Sequence, residues 1–435
     1  MISLLIFVIG LLIVLYSKNK FGNWFNHLSI YATVWSGMLV LFELKLLKFF
    51  PLNDSAWFVI ICGAISYILG TITILYATNH KNVFSEISID PQNVRIVLDR
   101  GSTLKLFIYV TGIIGLFSAI QNWYILINKF GNIPAVFISA NTIYRARIDS
   151  QIEGVLPYFH AFSSVGITLA GFYTAYKNRL TLVASIPVLA AVLKSLAMFG
   201  RIGMLMALVQ FISSYFLSRQ IFKKKDSKTN YRAALSISFV FIIIITAASL
   251  VKSFRGTYER YRGASEELAY FTDSPIFSPS VYLYLSSHVG VLNRYLEENK
   301  ENVKIGENTF AAVYNLLEKF GIGDRIPYDV PGYYLPMWTN TGTYLRDLHA
   351  DFGVFGVILV PYLIGFFTTF MWYKFFSTGR LFYFTILIQF YIVIGISFFS
   401  LVTRGAEWIF TLVFLMILSP YLENRAKSLA REKND

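Results

Sequence analysis

The sequence predicts an all-α polytopic membrane protein of about 11 transmembrane helices, with one long loop on the outer face carrying amphipathic helices. Three observations point there. Of 435 residues, 55% are hydrophobic and only 14% charged, against about 25% charged in a soluble domain. Apolar runs long enough to span a bilayer recur from end to end. A single long polar excursion interrupts them.

The same composition excludes other classes. Disorder needs low hydrophobicity and high charge. The single cysteine, Cys62, excludes a disulfide scaffold and cysteine-rich metal sites. The net charge of +13 reads as cytoplasmic loops beside anionic lipid, with no nucleic acid partner.

The expected spans are Ile2–Tyr16, His27–Leu44, Ala56–Ala77, Leu104–Asn128, Tyr158–Tyr176, Leu180–Phe199, Ile202–Leu217, Ala233–Val251, Phe352–Tyr373, Leu381–Val402 and Ala406–Tyr421. The first lacks the basic lead and small-residue cleavage site of a signal peptide, so it is read as an uncleaved span with its N-terminus outside. Cytoplasmic segments then hold 19 Lys and Arg and the short outer loops 7, as the positive-inside rule requires. The chain divides into residues 1–251 (spans one to eight), an outer loop at 252–350, and 351–435 (spans nine to eleven with a cytoplasmic tail).

Within the loop, Ser280–Glu297 and Thr309–Phe320 carry apolar residues at helical spacing. Both are read as amphipathic helices lying on the membrane face or capping a cavity. Tyr328–Thr343 is rich in Pro, Gly, Tyr and Trp. Its aromatics suit an interfacial belt or stacking on sugar rings.

Several arginines break the positive-inside pattern. Arg201 and Arg404 lie in very short outer turns, Arg145 and Arg147 follow span four, Arg255, Arg260 and Arg262 follow span eight, and Arg346 precedes span nine. Arginine near hydrocarbon usually faces a polar cavity or partner, and its planar fork suits phosphate oxygens. As a set, with glycine adjoining Arg201, Arg255, Arg262 and Arg404, they are read as a lipid-phosphate or pyrophosphate site. The alternative is snorkelling, or pairing with Glu43, Glu153 or Glu407. Lys194 either joins the site or snorkels.

In Tyr344–Gly353, helical spacing puts Asp347 and Asp351 on one face, and Arg346 with His349 on the next. Paired carboxylates there are explained if one meets an arginine or acts on a proton. His349 suits a general base at neutral pH. The alternative makes Asp351 a cap of span nine and His349 a solvated loop residue. There is no Walker A loop, no dinucleotide fingerprint and no HExxH, and the five histidines are scattered. No metal or other cofactor is expected.

The stretch Ile305-Gly306-Glu307-Asn308-Thr309-Phe310, then Asn340-Thr341-Gly342-Thr343-Tyr344, then Asp351-Phe352-Gly353 with Gly356 resembles the bacterial oligosaccharide repeat-unit polymerases, the Wzy-type O-antigen and capsule polymerases. Ten or more spans, a long loop before the last of them and an arginine at the span six to seven turn extend the likeness. The motifs are confined to about residues 200–210 and 305–360. The resemblance implies a GT-C-like, metal-independent glycosyltransferase in the inner membrane, multi-pass, with its N-terminus and long loop periplasmic and its C-terminus cytoplasmic. The donor would be a glycan on undecaprenyl pyrophosphate and the acceptor a new repeat unit on the same carrier. His349, with Asp347 or Asp351, would be the base. Arg201, Arg255, Arg346 and Arg404, with Arg145 and Arg147 nearby, would bind the pyrophosphate leaving group. Partners implied are these lipid-linked glycans, the lipid bilayer, a chain-length regulator and a flippase. Rival readings are an O-antigen ligase of the same plan, a lipid-linked oligosaccharide flippase or transporter, and a non-catalytic scaffold. Transporters commonly show internal repeats and midplane charges, and neither is read here.

Overall fold

The computed structural model describes residues 2–78, 102–148, 152, 158–222, scattered positions between 238 and 254, 265–271, 279–298, 304–327, 331–335 and 338–431. In chain order the helices are α1 (Ile2–Phe21), α2 (His27–Glu43), α3 (Asp54–Ala77), α4 (Ser102–Phe130), α5 (Ile133–Ile138), α6 (Ala140–Ile148), α7 (Ala161–Lys177), α8 (Leu182–Ala197) and α9 (Ile202–Phe222). They continue as α10 (Glu266–Tyr270), α11 (Pro279–Ser286), α12 (His288–Glu298), α13 (Ala311–Glu318), α14 (Tyr344–Thr378), α15 (Leu381–Ile396) and α16 (Ala406–Arg431). Strands β1 (Tyr333–Tyr334) and β2 (Trp338–Thr339) pair antiparallel as a small hairpin.

The protein is helical and multi-pass. Among the described residues six helices, α1, α3, α4, α9, α14 and α16, are long and apolar enough to cross a membrane. Helices α8 and α15 are apolar but 16 residues long, about 24 Å at the α-helical rise, short of a ~30 Å hydrocarbon core. Span eight, expected at Ala233–Val251, lies mostly outside the described residues, as does the Lys223–Arg232 loop.

Helix starts follow their capping residues. Asn26, Asn53 and Asn132 accept hydrogen bonds from the backbone N–H groups of Ser29, Ala56 and Ala135, filling donors that the first turn leaves open. Along α1, Leu4, Leu5 and Phe7 are each more than half exposed. On a span, that surface faces lipid.

The chain forms two compact units. The first comprises 1–87, 258–370 and 393–405. Here α3 and α14 cross with no room for side chains at their contact. A Cβ on Gly70 would run into the Tyr362 carbonyl oxygen, and one on Gly365 into that of Tyr67. Small residues of this kind allow the close approach that drives helix association in lipid. The start of α14 is fixed by a hydrogen bond from the Tyr344 N–H to the Ser397 carbonyl, 2.9 Å long, and Ser397 Oγ accepts from Trp35 Nε1 at 2.9 Å. Helix α14 breaks at Gly353, whose φ of 62° and ψ of −152° are accessible to glycine and costly for other residues.

The amphipathic helices expected in the loop differ from expectation in one respect. Ser280–Glu297 is two helices, and α12 is buried through His288, Val289, Gly290, Val291, Leu292 and Asn293. It is a core element of the first unit rather than a surface cap. Helix α13 keeps an exposed apolar side at Val313 and Leu316, as expected of an amphipathic element.

The second unit comprises 88–257, 371–392 and 406–435. Helices α4, α7 and α8 close around Pro187. A Cβ on Gly166 would lie 2.8 Å from Pro187 Cβ, and one on Gly112 3.0 Å from Pro187 Cδ. Pro187 donates no hydrogen bond within α8, and the glycines accommodate its ring.

Candidate functional site

The break at Gly353 leaves a short helical segment, Tyr344–Phe352, that carries Arg346, Asp347, His349 and Asp351. Arg346 and Asp347 are both buried and form an ion pair, with Arg346 Nη1 donating to Asp347 Oδ1 at 3.4 Å. Arg346 Nη2 also donates to the Pro331 carbonyl at 3.4 Å. Its guanidinium lies 5.9 Å from the ring centres of both Tyr295 and Tyr333, within cation–π reach. The site absorbs the carboxylate pair as one of the sequence alternatives anticipated: Asp347 meets an arginine.

His349 is half-buried, and its Nδ1 is hydrogen-bonded to the Tyr295 hydroxyl at 3.0 Å. Tyr295 therefore touches both Arg346 and His349. Its place on α12, about fifty residues earlier, left no local signal in the sequence.

Asp351 lies two residues before the break at Gly353, and its carboxylate is turned to the 308–309 segment. Its Oδ1 accepts from Asn308 N at 2.8 Å and Asn308 Nδ2 at 2.9 Å; its Oδ2 accepts from Thr309 N and Thr309 Oγ1, both at 2.6 Å. Four donors occupy a carboxylate's lone-pair sites. Asp351 holds the 308–309 segment.

Arg404 joins this network. It donates from Nη1 to Asn308 Oδ1, and from Nη2 to the Pro327 carbonyl at 2.9 Å. It ties two points of the 304–327 segment to the 3₁₀ turn Val402–Arg404. Asn308 links Arg404 to Asp351, a role for which the Asn308-Thr309 dipeptide within the motif was the only hint.

Arg201, in the second unit, is half-buried and its carbonyl accepts the Leu205 N–H at the start of α9. Arg145 is exposed on α6, while Arg147 donates to Asn122 Oδ1 at 3.4 Å. Burial pushes the Arg147 guanidinium down to about 10, so it remains a cation at neutral pH. Arg255, Arg260 and Arg262 lie outside the described residues. Lys194 neither joins a phosphate site nor snorkels: its ammonium donates to Glu407 Oε2 at 2.6 Å. Among the described residues Glu407 meets Lys194 and, at 3.6 Å, His160 Nε2.

No family model, no curated protein and no solved structure matches the chain. The site's chemistry stands on its geometry: a buried, paired guanidinium, a half-buried imidazole one ring away, and a neighbouring loop pinned by a carboxylate and a second arginine.

Proposed function

We propose that this chain is a lipid-linked glycosyltransferase that polymerises undecaprenyl-pyrophosphate-linked repeat units at the periplasmic face of the bacterial inner membrane. The observation that carries the reading is the Arg346–Tyr295–His349 arrangement at the head of a membrane-length helix. It supplies a titratable group with access to substrate beside a fixed positive charge.

In this reading His349 Nδ1–H donates to the Tyr295 oxygen. That leaves the Nε2 lone pair as the base, the tautomer logic that fixes catalytic imidazoles. The acceptor hydroxyl gives its proton to Nε2 as its oxygen bonds to the donor's anomeric carbon. The bond from that carbon to the pyrophosphate oxygen breaks, and undecaprenyl pyrophosphate leaves with the electron pair. The remaining N–H groups of Arg404 stabilise the leaving anion, the largest demand of such a transfer, while the buried Arg346–Asp347 pair holds the segment that carries His349. No metal is invoked.

Deleting the gene and analysing surface glycan on a gel tests the reading. Single repeat units on core, with long chains restored by the wild-type gene, are expected. Undecorated core with polymer retained on carrier lipid would make the protein a ligase instead. Absence of any translocated repeat units would make it a flippase.

A further inference from the structure

The 304–327 segment of the first unit turns large apolar side chains outward. Val313, Leu316 and Leu317 are exposed on α13, and their spacing puts them on one helical face. Phe320, 75% exposed, extends that face one turn further, its N–H bonded to the Leu317 carbonyl at 2.9 Å. Ile305, Phe310 and Ile322 are also exposed. The polar Asn315 turns to the chain itself, where its Oδ1 accepts from the Ile326 N–H at 2.7 Å. A helix on a water-facing surface has the opposite arrangement, and an exposed apolar face of this size marks a contact with protein or membrane.

The neighbouring span fixes the depth of this face. From Val354, the first residue after the break at Gly353, to Tyr373 the chain carries no charge. At the α-helical rise that stretch is about 30 Å long, the thickness of a hydrocarbon core. The break therefore stands at the edge of the core, and the 304–327 segment is packed against it. The Phe310 and Phe352 rings meet edge-on with centres 6.4 Å apart, and a Cβ on Gly306 would lie 3.5 Å from Phe352 Cζ. Asp351 holds Asn308 and Thr309 at the same level. The exposed apolar surface of α14 begins at Val354, Phe355 and Ile358, so the outward side of α13 continues a surface that faces lipid. The segment carries three cations, Lys304, Lys319 and Arg325, and three anions, Glu307, Glu318 and Asp324. Apolar burial, rather than attraction to anionic headgroups, is then what draws it to a membrane.

We propose that residues 305–322 are seated in the bilayer interface at the N-terminal end of α14, with the Val313–Phe320 face of α13 among phospholipid acyl chains. Through the Asp351 contacts, this seat also sets the depth at which the Tyr344–Phe352 segment meets the membrane. The proposal is independent of the transferase chemistry.

The test uses the full chain in phosphatidylcholine nanodiscs, with Cys62→Ser and one spin-labelled cysteine at a time: Val313→Cys, Leu316→Cys, Leu317→Cys or Phe320→Cys. Collision of the label with oxygen, which concentrates in hydrocarbon, is compared with collision with a water-soluble nickel chelate. Phe355→Cys on α14 is the lipid reference. Asp324→Cys is the water reference, since its carboxylate is exposed in the native chain. All four labels are expected to match Phe355→Cys, with oxygen access exceeding nickel access, and to keep that order when phosphatidylglycerol is added. Because four sites are read separately, one variant that misfolds does not decide the result. Nickel access exceeding oxygen access would put the face in water and overturn the proposal. Low access to both would mean that protein covers the face, whether a second copy or another partner, and would overturn it as well. So would an oxygen preference that appears only with phosphatidylglycerol.

Discussion

The Tyr295 hydroxyl lies 3.0 Å from His349 Nδ1, joining α12 to α14 across 54 residues of sequence. That contact fixes the imidazole's orientation and, in the proposed chemistry, selects which nitrogen is the base. His349→Ala is expected to lower the transfer rate by about 10²–10⁴-fold, the usual contribution of a positioned base. Tyr295→Phe keeps the ring under Arg346 and loses only the hydroxyl. It is expected to lower kcat more than it raises KM and to move the pH–rate profile. Rates from both variants at equal protein levels check this; wild-type rates in His349→Ala would place the base elsewhere.

Asp351→Asn is expected to act on stability first. The amide keeps one oxygen, while its NH2 opposes the Thr309 N–H and leaves the Thr309 hydroxyl to turn round and accept. Hydrogen bonds to a charged group contribute about 1.5–3 kcal/mol each, and a buried unmet donor costs a similar amount. A lowered melting temperature and faster proteolysis within residues 304–327 are expected, with activity falling in parallel. Normal stability with lost activity would return Asp351 to the role of base.

Arg404→Lys separates anchoring from charge. A lysine ammonium reaches the Asn308 oxygen or the Pro327 carbonyl but does not reproduce the fork that meets both. Proteolysis of the 304–327 segment is expected to rise in Arg404→Lys and further in Arg404→Ala. Limited digestion followed by mass spectrometry reads the difference.

The α3–α14 crossing is expected to be intolerant of added volume. Gly70→Ala and Gly365→Ala force a Cβ against a carbonyl oxygen, and overpacking typically costs about 1–3 kcal/mol. Each variant should unfold at lower temperature in detergent. Gly37→Ala, where a Cβ meets nothing within 4 Å, serves as the control.

His288 supplies a pH dependence. Burial holds its imidazole down at about 4, although the Tyr284 and Thr341 carbonyls at its two nitrogens favour the charged form. The unfolded chain's histidine titrates near 6.5, so below that pH the unfolded state binds the proton more readily. The contribution is fully present above about 6.5 and is lost as pH falls toward 4. Chemical denaturation at pH 7.5, 6 and 5 should show a shallower loss in His288→Gln than in the wild type.

The helices were legible because apolar runs carry their own length signals, as at α3, whose start the structure moves back from Ala56 to Asp54 behind the cap Asn53. The Asp347–Asp351 spacing was legible because it is local to one helix, whereas the arginine that Asp347 meets, its neighbour Arg346, was not named. What the sequence withheld is long-range pairing. Nothing near Lys194 announces Glu407, and nothing near His349 announces Tyr295. The partners of Asp351, Asn308 and Thr309, lie 43 and 42 residues away, too far for a local pattern to announce them.

Reconstitution measures the central claim directly. The purified chain is placed in liposomes with a single synthetic repeat unit on undecaprenyl pyrophosphate, and products are followed as glycan length and released carrier. The account expects a ladder of lengthened glycans with one undecaprenyl pyrophosphate released per bond formed, from the wild type and not from His349→Ala. Unlengthened substrate in the wild type, or an equal ladder from His349→Ala, would contradict it.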